Sequence, residues 1–313
     1  MFIPVLRFAR RIGSAWVAGF CLLFYPSSAT HAEVLNVTIV QSEEGGAYAE
    51  FSEALHKILS GRGITHAVID AARPIPDSGL VIGVGMKAAA AVAGSNAPSV
   101  LNVLIPKTGH EKLLRDFPRR AGSAAFSSIL LDQPAYRQAQ LIAAILPGKH
   151  NVGLLYSSPP ENLAQLRQKL AEHGLRLHGQ AVDPAFSLSG ALQDVLRGSE
   201  ALLALPDAAV YNSSTIRNIL LAAYRSGVPL IGFSSGYVKA GALGAAFSTP
   251  AQIAAQAATL IRQFGDTHVL PAAQYPHEFE VMINEQVARS LGLPVRSASV
   301  LHDEIKAKDE GEP

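Results

Sequence analysis

From residue 34 onward, short apolar runs alternate with segments in which apolar residues recur every three or four positions. Runs such as 34–40 and 100–105 have the length and continuous apolar character of strands buried on both faces of a parallel sheet. The segment 47–59 between them has the spacing of a helix with one apolar face. Strands separated by helices indicate βαβ units, so the pattern predicts an α/β fold with parallel sheets.

The alternation is interrupted at Leu146-Pro147-Gly148 and then restarts, which predicts two Rossmann-like lobes. We assign residues 33–133 to an N-terminal lobe and 134–268 to a C-terminal lobe, with part of 269–300 crossing back to the first. Thr249 and Pro250 are expected to cap and begin the last helix of the second lobe. Residues 302–313 are expected to form a polar tail. Two lobes leave a ligand cleft between them, and hinge closure is the usual motion of such proteins.

The first 32 residues have the layout of a secretory signal peptide. Arg7, Arg10 and Arg11 precede an apolar run at 12–25, and a polar end closes on Ala32. This layout predicts cleavage after Ala32 and a periplasmic protein. A retained membrane anchor is the alternative, although the apolar run is short for a spanning helix.

Composition narrows the chemistry of the remaining chain. The only cysteine, Cys21, lies in the leader after Phe20, where a lipoprotein site would require a small residue. Without it the chain has no disulfide and no thiolate metal site. Removal of the signal peptide with its three arginines leaves 23 basic and 25 acidic side chains. The formal charge then changes from +1 for the full sequence to −2 for the remaining chain. The sequence has no basic stripe that would predict a nucleic-acid partner and no histidine spacing that would predict a metal site. We therefore expect no cofactor.

The stretch from Leu203 to Pro250 contains two points at which an apolar run stops abruptly in polar residues, at Pro206-Asp207 and at Ser234-Ser235. Its motifs resemble those of the periplasmic solute-binding proteins of ABC transporters, in the subfamily that includes tryptophan/tyrosine-binding members. The segments that carry the resemblance are ALPD at 204–207, Val210-Tyr211-Asn212, VPLIGFS at 228–234, YVKAGAL at 237–243, Ser248-Thr249-Pro250, Asn284 with VARSLGL at 287–293, and Gln133 with QLI at 140–142 and LP at 146–147.

The resemblance implies a type I periplasmic binding fold that captures a small polar or amino-acid-like ligand by hinge closure. The partner would be the membrane permease of an ABC transporter, and the function would be binding rather than catalysis. A periplasmic sensing subunit for a membrane receptor or kinase is an alternative with the same fold.

Candidate contacts in the second lobe follow strand ends, where open α/β sheets bind ligands. The resemblance places Asp207 in the cleft, where it would pair with a ligand ammonium group; the alternative is a turn or cap aspartate. Tyr211 and Asn212 would supply stacking and amide hydrogen bonds, or else a buried ring and a cap. Ser234 and Tyr237 would bind a carboxylate beside a helix start.

Further candidates lie at other predicted strand ends. Ser42 and Tyr48 follow the first strand, and Gly85 begins a helix at which backbone N–H groups would hold an anion. Tyr156 and Asp183 end two strands of the second lobe. For all of them a solvated loop or an ordinary turn is the alternative.

Two short motifs suggest other chemistry. Gly232-Phe233-Ser234-Ser235-Gly236 fits the G-x-S-x-G nucleophile elbow, so a secreted serine hydrolase that uses Ser234 remains an alternative, with Asp266 and His268 or His277 downstream. The run from Gly83 to Ala88 approximates a dinucleotide fingerprint, but no acidic residue follows about 20 positions later.

Overall fold

A computed structural model describes residues 35–60, 64–182 and 188–309; the predicted signal peptide at 1–32 lies outside these residues. The first sheet has five parallel strands in the order β2-β1-β3-β4-β5. These strands are β1 (Asn36–Gln41), β2 (Thr65–Asp70), β3 (Leu80–Val84), β4 (Ser99–Ile105) and β5 (Phe126–Leu130).

The second sheet has six strands in the order β11-β10-β9-β8-β6-β7. All neighbours are parallel except β10 and β11, which are antiparallel. These strands are β6 (Asn151–Tyr156), β7 (Arg176–Ala181), β8 (Ala201–Leu203), β9 (Leu230–Gly232), β10 (Gly244–Phe247) and β11 (Glu280–Ile283). Two mainly parallel sheets confirm the predicted α/β class.

Eleven α-helices occur in the part of the chain that the structure describes, with a 3-10 turn at Pro118–Arg120. They are α1 (Gly46–Leu59), α2 (Met86–Gly94), α3 (Lys107–Asp116), α4 (Ala135–Ile145), α5 (Leu163–Ala171), α6 (Leu188–Arg197), α7 (Ile216–Arg225), α8 (Ser235–Ala240), α9 (Pro250–Thr267), α10 (Glu285–Ser290) and α11 (Ala298–Asp309). No helix within the described residues is both long enough and apolar enough to cross a membrane.

The apolar periodicity of the sequence produces the packing of the first sheet. Strands β3, β4 and β5 are buried along their whole length, as their continuous apolar runs predict. Phe51, Leu55 and Leu59 lie on one face of α1 and are fully buried against this sheet. Burying each such side chain contributes about 1.5–3 kcal/mol, so this face fixes α1 to the sheet.

The chain passes between the sheets three times. It leaves the first sheet after β5, returns after β10, and leaves again after Gln274, whose backbone extends the edge of β5 through hydrogen bonds to Ser128 and Leu130. Residues 131–134, 248–249 and 276–279 are therefore the three crossing segments.

Helix α9 packs on the first sheet, not on the second as the alternation of elements predicts. Ile253, Ala257 and Ile261 are buried in the same core as α1 and β1. The capping prediction is confirmed, because Thr249 accepts from the backbone N–H of Gln252 in a capping box and Pro250 occupies the first turn. Periodicity identifies a helix and its start but carries no information about which sheet its apolar face covers.

The expected polar tail is also different. Residues 302–309 belong to α11, in which Leu301 and Ile305 are buried in the core of the second sheet. The two apolar side chains are four positions apart and therefore share one helix face. Because the surrounding residues are mostly charged, the sequence shows no clear apolar periodicity for this helix.

Candidate functional site

Strand ends of the two sheets face each other across a cavity. Its floor on the second-sheet side includes Leu155, Leu205 and Pro206. The polar residues that line the cavity are Lys107, Thr108, Glu111 and Asp132 from the first-sheet side, and Tyr156, Ser158, Glu161, Asn162 and Asp207 from the second-sheet side. The carboxyl ends of β4 and β5 thus oppose those of β6 and β8, which is where ligands bind in open α/β sheets.

Asp207, predicted from its position after Pro206, lies in this cavity. Its Oδ2 accepts from the backbone N–H and the hydroxyl of Ser157 at 2.7 and 2.8 Å. Its Oδ1 accepts from the backbone N–H of Ala209 at 3.0 Å. These neutral donors fix the carboxylate without neutralising its charge, so the turn role and a ligand role are compatible.

Asp132 lies at the end of β5 and connects the cavity to α3. Its Oδ2 accepts from the backbone N–H of Lys107 at 2.6 Å, at the first residue of that helix. Burial raises the pKa of Asp132 to about 6, although the hydrogen bond from Lys107 favours the ionised form. Near neutral pH this carboxyl group is close to its titration range.

Glu111 lies one turn further along α3. Its side chain is 12% exposed, and Oε1 stands 3.7 Å from the ammonium group of Lys107. Burial raises the pKa of Glu111 to about 7, and the neighbouring carboxylate of Glu161 adds to this, while Lys107 opposes it. Glu161 belongs to the loop after β6, so the two carboxyl groups approach from opposite sides of the cavity.

Contacts next to the cavity already join its two sides. Arg115 of α3 lies 3.7 Å from Glu161, and both side chains are mainly exposed. The amide of Asn162 donates to the hydroxyl of Tyr275 at 3.4 Å, and burial raises the pKa of that tyrosine to about 12. Lys107 lies over the ring of Tyr275 at 6.0 Å. The two sides are therefore close together in this conformation.

Of the other predicted contacts in the second lobe, Tyr156 lines the cavity with Asp207. Tyr211 is 4% exposed and its hydroxyl group is 3.5 Å from the carbonyl oxygen of Leu203. Its ring makes edge contacts with Phe233 and Tyr237. Burial raises the pKa of both Tyr211 and Tyr237, the latter to about 12, so both hydroxyl groups stay neutral. This aromatic cluster supports the loops at the ends of β8 and β9.

Asn212 lies in the turns before α7 and Ser234 at the start of α8, both outside the cavity lining. The carbonyl oxygen of the Asn212 side chain accepts from the backbone and hydroxyl of Ser214, and its amide donates to the carbonyl of Ala208 at 2.9 Å. Ser234 is the N-cap residue of α8 and is half-buried. Asn212 therefore orders a turn ahead of α7 and is not the predicted cap, since the N-cap residue of that helix is Thr215. A ligand role for Asn212 or Ser234 remains a prediction.

The first-sheet candidates form a connected group. The hydroxyl of Ser42 donates to the carbonyl of Val84 at 2.8 Å and accepts from the backbone N–H of Ala88 at 3.0 Å, so it caps α2 from a distant part of the chain. Gly85 has φ +81°, and an added Cβ would come within 2.8 Å of the Tyr48 ring. Burial raises the pKa of Tyr48, and Glu43 adds to it. The predicted anion site at this helix start thus has one of its N–H groups occupied by Ser42.

Asp183 lies outside the described residues. Sequence analysis missed Lys107, Glu111, Asp132 and Glu161. For three of them a signal was available in their position after apolar runs, since Lys107 follows β4, Asp132 follows β5 and Glu161 follows β6 within a few residues. Among the described residues, no group of three or more His, Cys, Asp or Glu side chains has the arrangement of a metal site.

The nucleophile-elbow alternative lacks its geometry. Such an elbow requires a strained turn at the serine. Ser234 instead has φ −155° and ψ 162°, which is ordinary extended backbone. No hydrogen bond joins it to His268 or His277, all three being described residues, and His268 packs against Phe264 at the end of α9. The motif marks a strand end followed by a helix cap.

Comparison with known proteins decides the family. A family model described as ABC transporter substrate binding protein matches residues 79–303, well over half of the chain. The chain belongs to this family. Its members bind substrates rather than transform them, which implies a small-molecule ligand and a membrane permease as partners; the comparisons give no support to the sensing alternative. No curated protein sequence matches the chain.

Solved structures show the type I periplasmic binding fold of this ABC substrate-binding protein. One similar structure is a conserved domain protein from Vibrio cholerae, with 19% identity, a TM-score of 0.62 and coverage of 86% of this chain and 98% of the other. An ABC domain in complex with L-Trp from Streptococcus pneumonia has 17% identity, a TM-score of 0.64 and coverages of 85% and 98%. A ligand-free, open substrate binding protein with adhesive properties from Clostridium difficile has 15% identity, a TM-score of 0.63 and coverages of 84% and 97%.

Proposed function

We propose that this protein is exported to the periplasm with removal of residues 1–32, and that it captures an amino-acid-like solute for an ABC permease. The observation that carries the proposal is the cavity between opposed strand ends, with Asp207 at its surface. The similar Streptococcus domain is described as a complex with L-Trp, which supports an amino-acid-like ligand.

The state of Asp207 supports its role as the anchor for a ligand ammonium group. Ser157 and Ala209 hold its two oxygens with neutral donors. A carboxylate that is already oriented loses little freedom when it binds, and a charge-assisted bond to an ammonium group is among the stronger polar contacts. Both effects favour an amine over a neutral polar group.

We also propose that the two lobes close on the solute by rotation at the three crossing segments. These segments are joined by a short hydrogen-bond chain: Gln133 donates to the hydroxyl of Ser248 at 3.0 Å, and Ser248 donates to the carbonyl of Glu278 at 2.6 Å. A few residues at the ends of elements are enough to absorb a hinge rotation. These hydrogen bonds would keep the crossing segments together while the lobes move.

The test is a thermal-shift screen of protein exported and purified from the periplasmic fraction, against amino acids, amines, sugars and small anions. A ligand at 100 times its dissociation constant stabilises the folded state by about 2.7 kcal/mol, so the melting temperature of the protein rises. We expect a shift with an amino-acid-like amine, and mass spectrometry should find Glu33 as the first residue.

Asp207→Asn is expected to abolish this shift while it largely keeps the turn, because the amide oxygen still accepts from Ser157 and only the acceptor for the N–H of Ala209 is lost. Asp194→Asn is the matched control, since Asp194 is exposed on α6 and pairs with Arg197. No shift with any compound, or an equal shift in the two variants, would contradict the proposal.

A further inference from the structure

A second group of charges lies in the same cavity, apart from Asp207. Glu111 reaches the cavity from α3 and Glu161 from the loop after β6, so one carboxyl group comes from each side. The Oε1 atom of Glu111 is buried and has no hydrogen-bond partner among the described residues. A buried acceptor without a donor is unfavourable, and such atoms call for an explanation.

The neighbouring positive charges do not satisfy this pair. Lys107 is 3.7 Å from Glu111, beyond hydrogen-bond distance, and it also faces the ring of Tyr275. Arg115 is 3.7 Å from Glu161 but is mainly exposed, where solvent screens the ion pair. With Asp132 and Asp207, the cavity therefore has four carboxyl groups and a single lysine among its lining residues.

We propose that Glu111 and Glu161 form a cation subsite that binds a second ammonium or guanidinium group of the solute, so that the ligand is a basic amino acid or a diamine rather than a neutral amino acid. This inference rests on the proposed function, in which Asp207 binds the first ammonium group. A cationic group between the two carboxylates would give Glu111 its missing donor and would bridge the two sides of the cavity.

The subsite also links binding to protons. Burial and the charge of Glu161 raise the pKa of Glu111 to about 7, so near neutral pH a proton partly occupies the site. The groups that face Glu111 are Lys107 and Arg115 of its own helix, Glu161 across the cavity, and Tyr275, whose pKa Glu111 helps to raise. A bound cation takes the place of the proton, which passes to the buffer, so charge is balanced.

The experiment compares ligands that differ only in the second charge. Arginine and citrulline are matched in shape, as are lysine and norleucine, and 1,4-diaminobutane has two amines without a carboxylate. Isothermal titration of the exported protein is expected to show arginine or lysine binding at least about tenfold tighter than its neutral counterpart. Binding of the diamine would identify diamines as ligands of the subsite. If arginine or lysine binds and the diamine does not, the ligand is a basic amino acid.

Variants identify the residues. Glu111→Gln and Glu161→Gln are each expected to reduce the preference for the cationic ligand over its neutral counterpart, citrulline or norleucine, by about tenfold. Glu285→Gln, on the exposed surface of α10, is the control. Titrations at pH 6.5 in phosphate and in MES, which differ in ionisation enthalpy, should reveal proton release with wild type but not with Glu111→Gln.

Two results separate the inference from the function on which it rests. Equal affinity for charged and neutral partners, with Asp207→Asn still abolishing binding, would overturn the cation subsite and leave the proposed function in place. Absence of binding by every amino acid and amine would overturn both.

Discussion

The guanidinium Nη2 of Arg137 lies 2.5 Å from Oδ2 of Asp309, which joins the start of α4 to the last turn of α11. Arg137 is 2% exposed and also donates to Gln133 and to the carbonyl of Pro276, in two of the crossing segments. Its guanidinium group stands 4.2 Å from the centre of the Phe279 ring. One buried cation thus connects the crossing segments with the C-terminal helix.

Removing one member of this pair should destabilise the fold strongly. Asp309→Asn leaves the Arg137 charge buried without its counter-ion. Removing one partner of a buried ion pair typically lowers the free energy of unfolding by about 3–5 kcal/mol. Urea unfolding monitored by circular dichroism measures the loss. Asp194→Asn, which breaks the exposed pair with Arg197, should change the free energy of unfolding by less than about 1 kcal/mol. Equal effects of the two substitutions would show that the Arg137 pair is not structural.

Helix α11 should contribute to the core through one face only. Leu301→Ala removes a fully buried side chain and should lower the free energy of unfolding by about 2–5 kcal/mol. Val300→Ala changes its neighbour, which is 44% exposed, and should have an effect within about 0.5 kcal/mol. Chemical denaturation of both variants checks the difference, and similar losses would mean that residues 298–309 do not pack as described.

The raised pKa of Asp132 makes stability depend on pH. The carboxyl group of the folded protein binds its proton more tightly than that of the unfolded chain, with a pKa of about 6 against 3.8. The free energy of unfolding should therefore fall as pH rises through this window, by up to about 3 kcal/mol for this group. Asp132→Asn keeps an acceptor for Lys107 and should remove that part of the fall. If the pH profiles of wild type and variant are parallel, the assignment to Asp132 is wrong.

Gly85 should tolerate a side chain less well than another glycine of positive φ. Gly85 has φ +81° and ψ 169°, a backbone region essentially restricted to glycine, and Gly148 has φ +77°, so alanine is strained at both positions. At Gly85 the new Cβ would also collide with Ser42 and Tyr48, whereas at Gly148 nothing lies within 4 Å. Thermal unfolding should therefore show a larger loss for Gly85→Ala, and equal losses would contradict the packing of Ser42 and Tyr48 around this turn.

Local patterns were sufficient to predict most elements, because continuous apolar runs and helical spacing reflect burial directly. The capping box of Thr249 is visible in the sequence for the same reason, since its chemistry is contained within four residues. The sheet on which α9 packs is a long-range property that no local pattern encodes. For α11 the apolar signal consists of Leu301 and Ile305 only, and its ion pair with Arg137 joins residues 172 positions apart.

The candidate site was predicted in part. Asp207 and Tyr156 were found because they end strands of the sheet that the resemblance covers. Glu111 was missed because it lies within α3, whose few apolar residues give a weak helical pattern after Pro106. Its proximity to Glu161 depends on how the two lobes meet, which a single sequence does not express.

Isothermal titration of the exported protein with the strongest ligand from the screen tests the central claim most directly. The account predicts one site per chain, loss of binding in Asp207→Asn, and unchanged binding in Asp194→Asn. Binding that survives Asp207→Asn with the same affinity would contradict the placement of the ligand in the cavity between the two sheets.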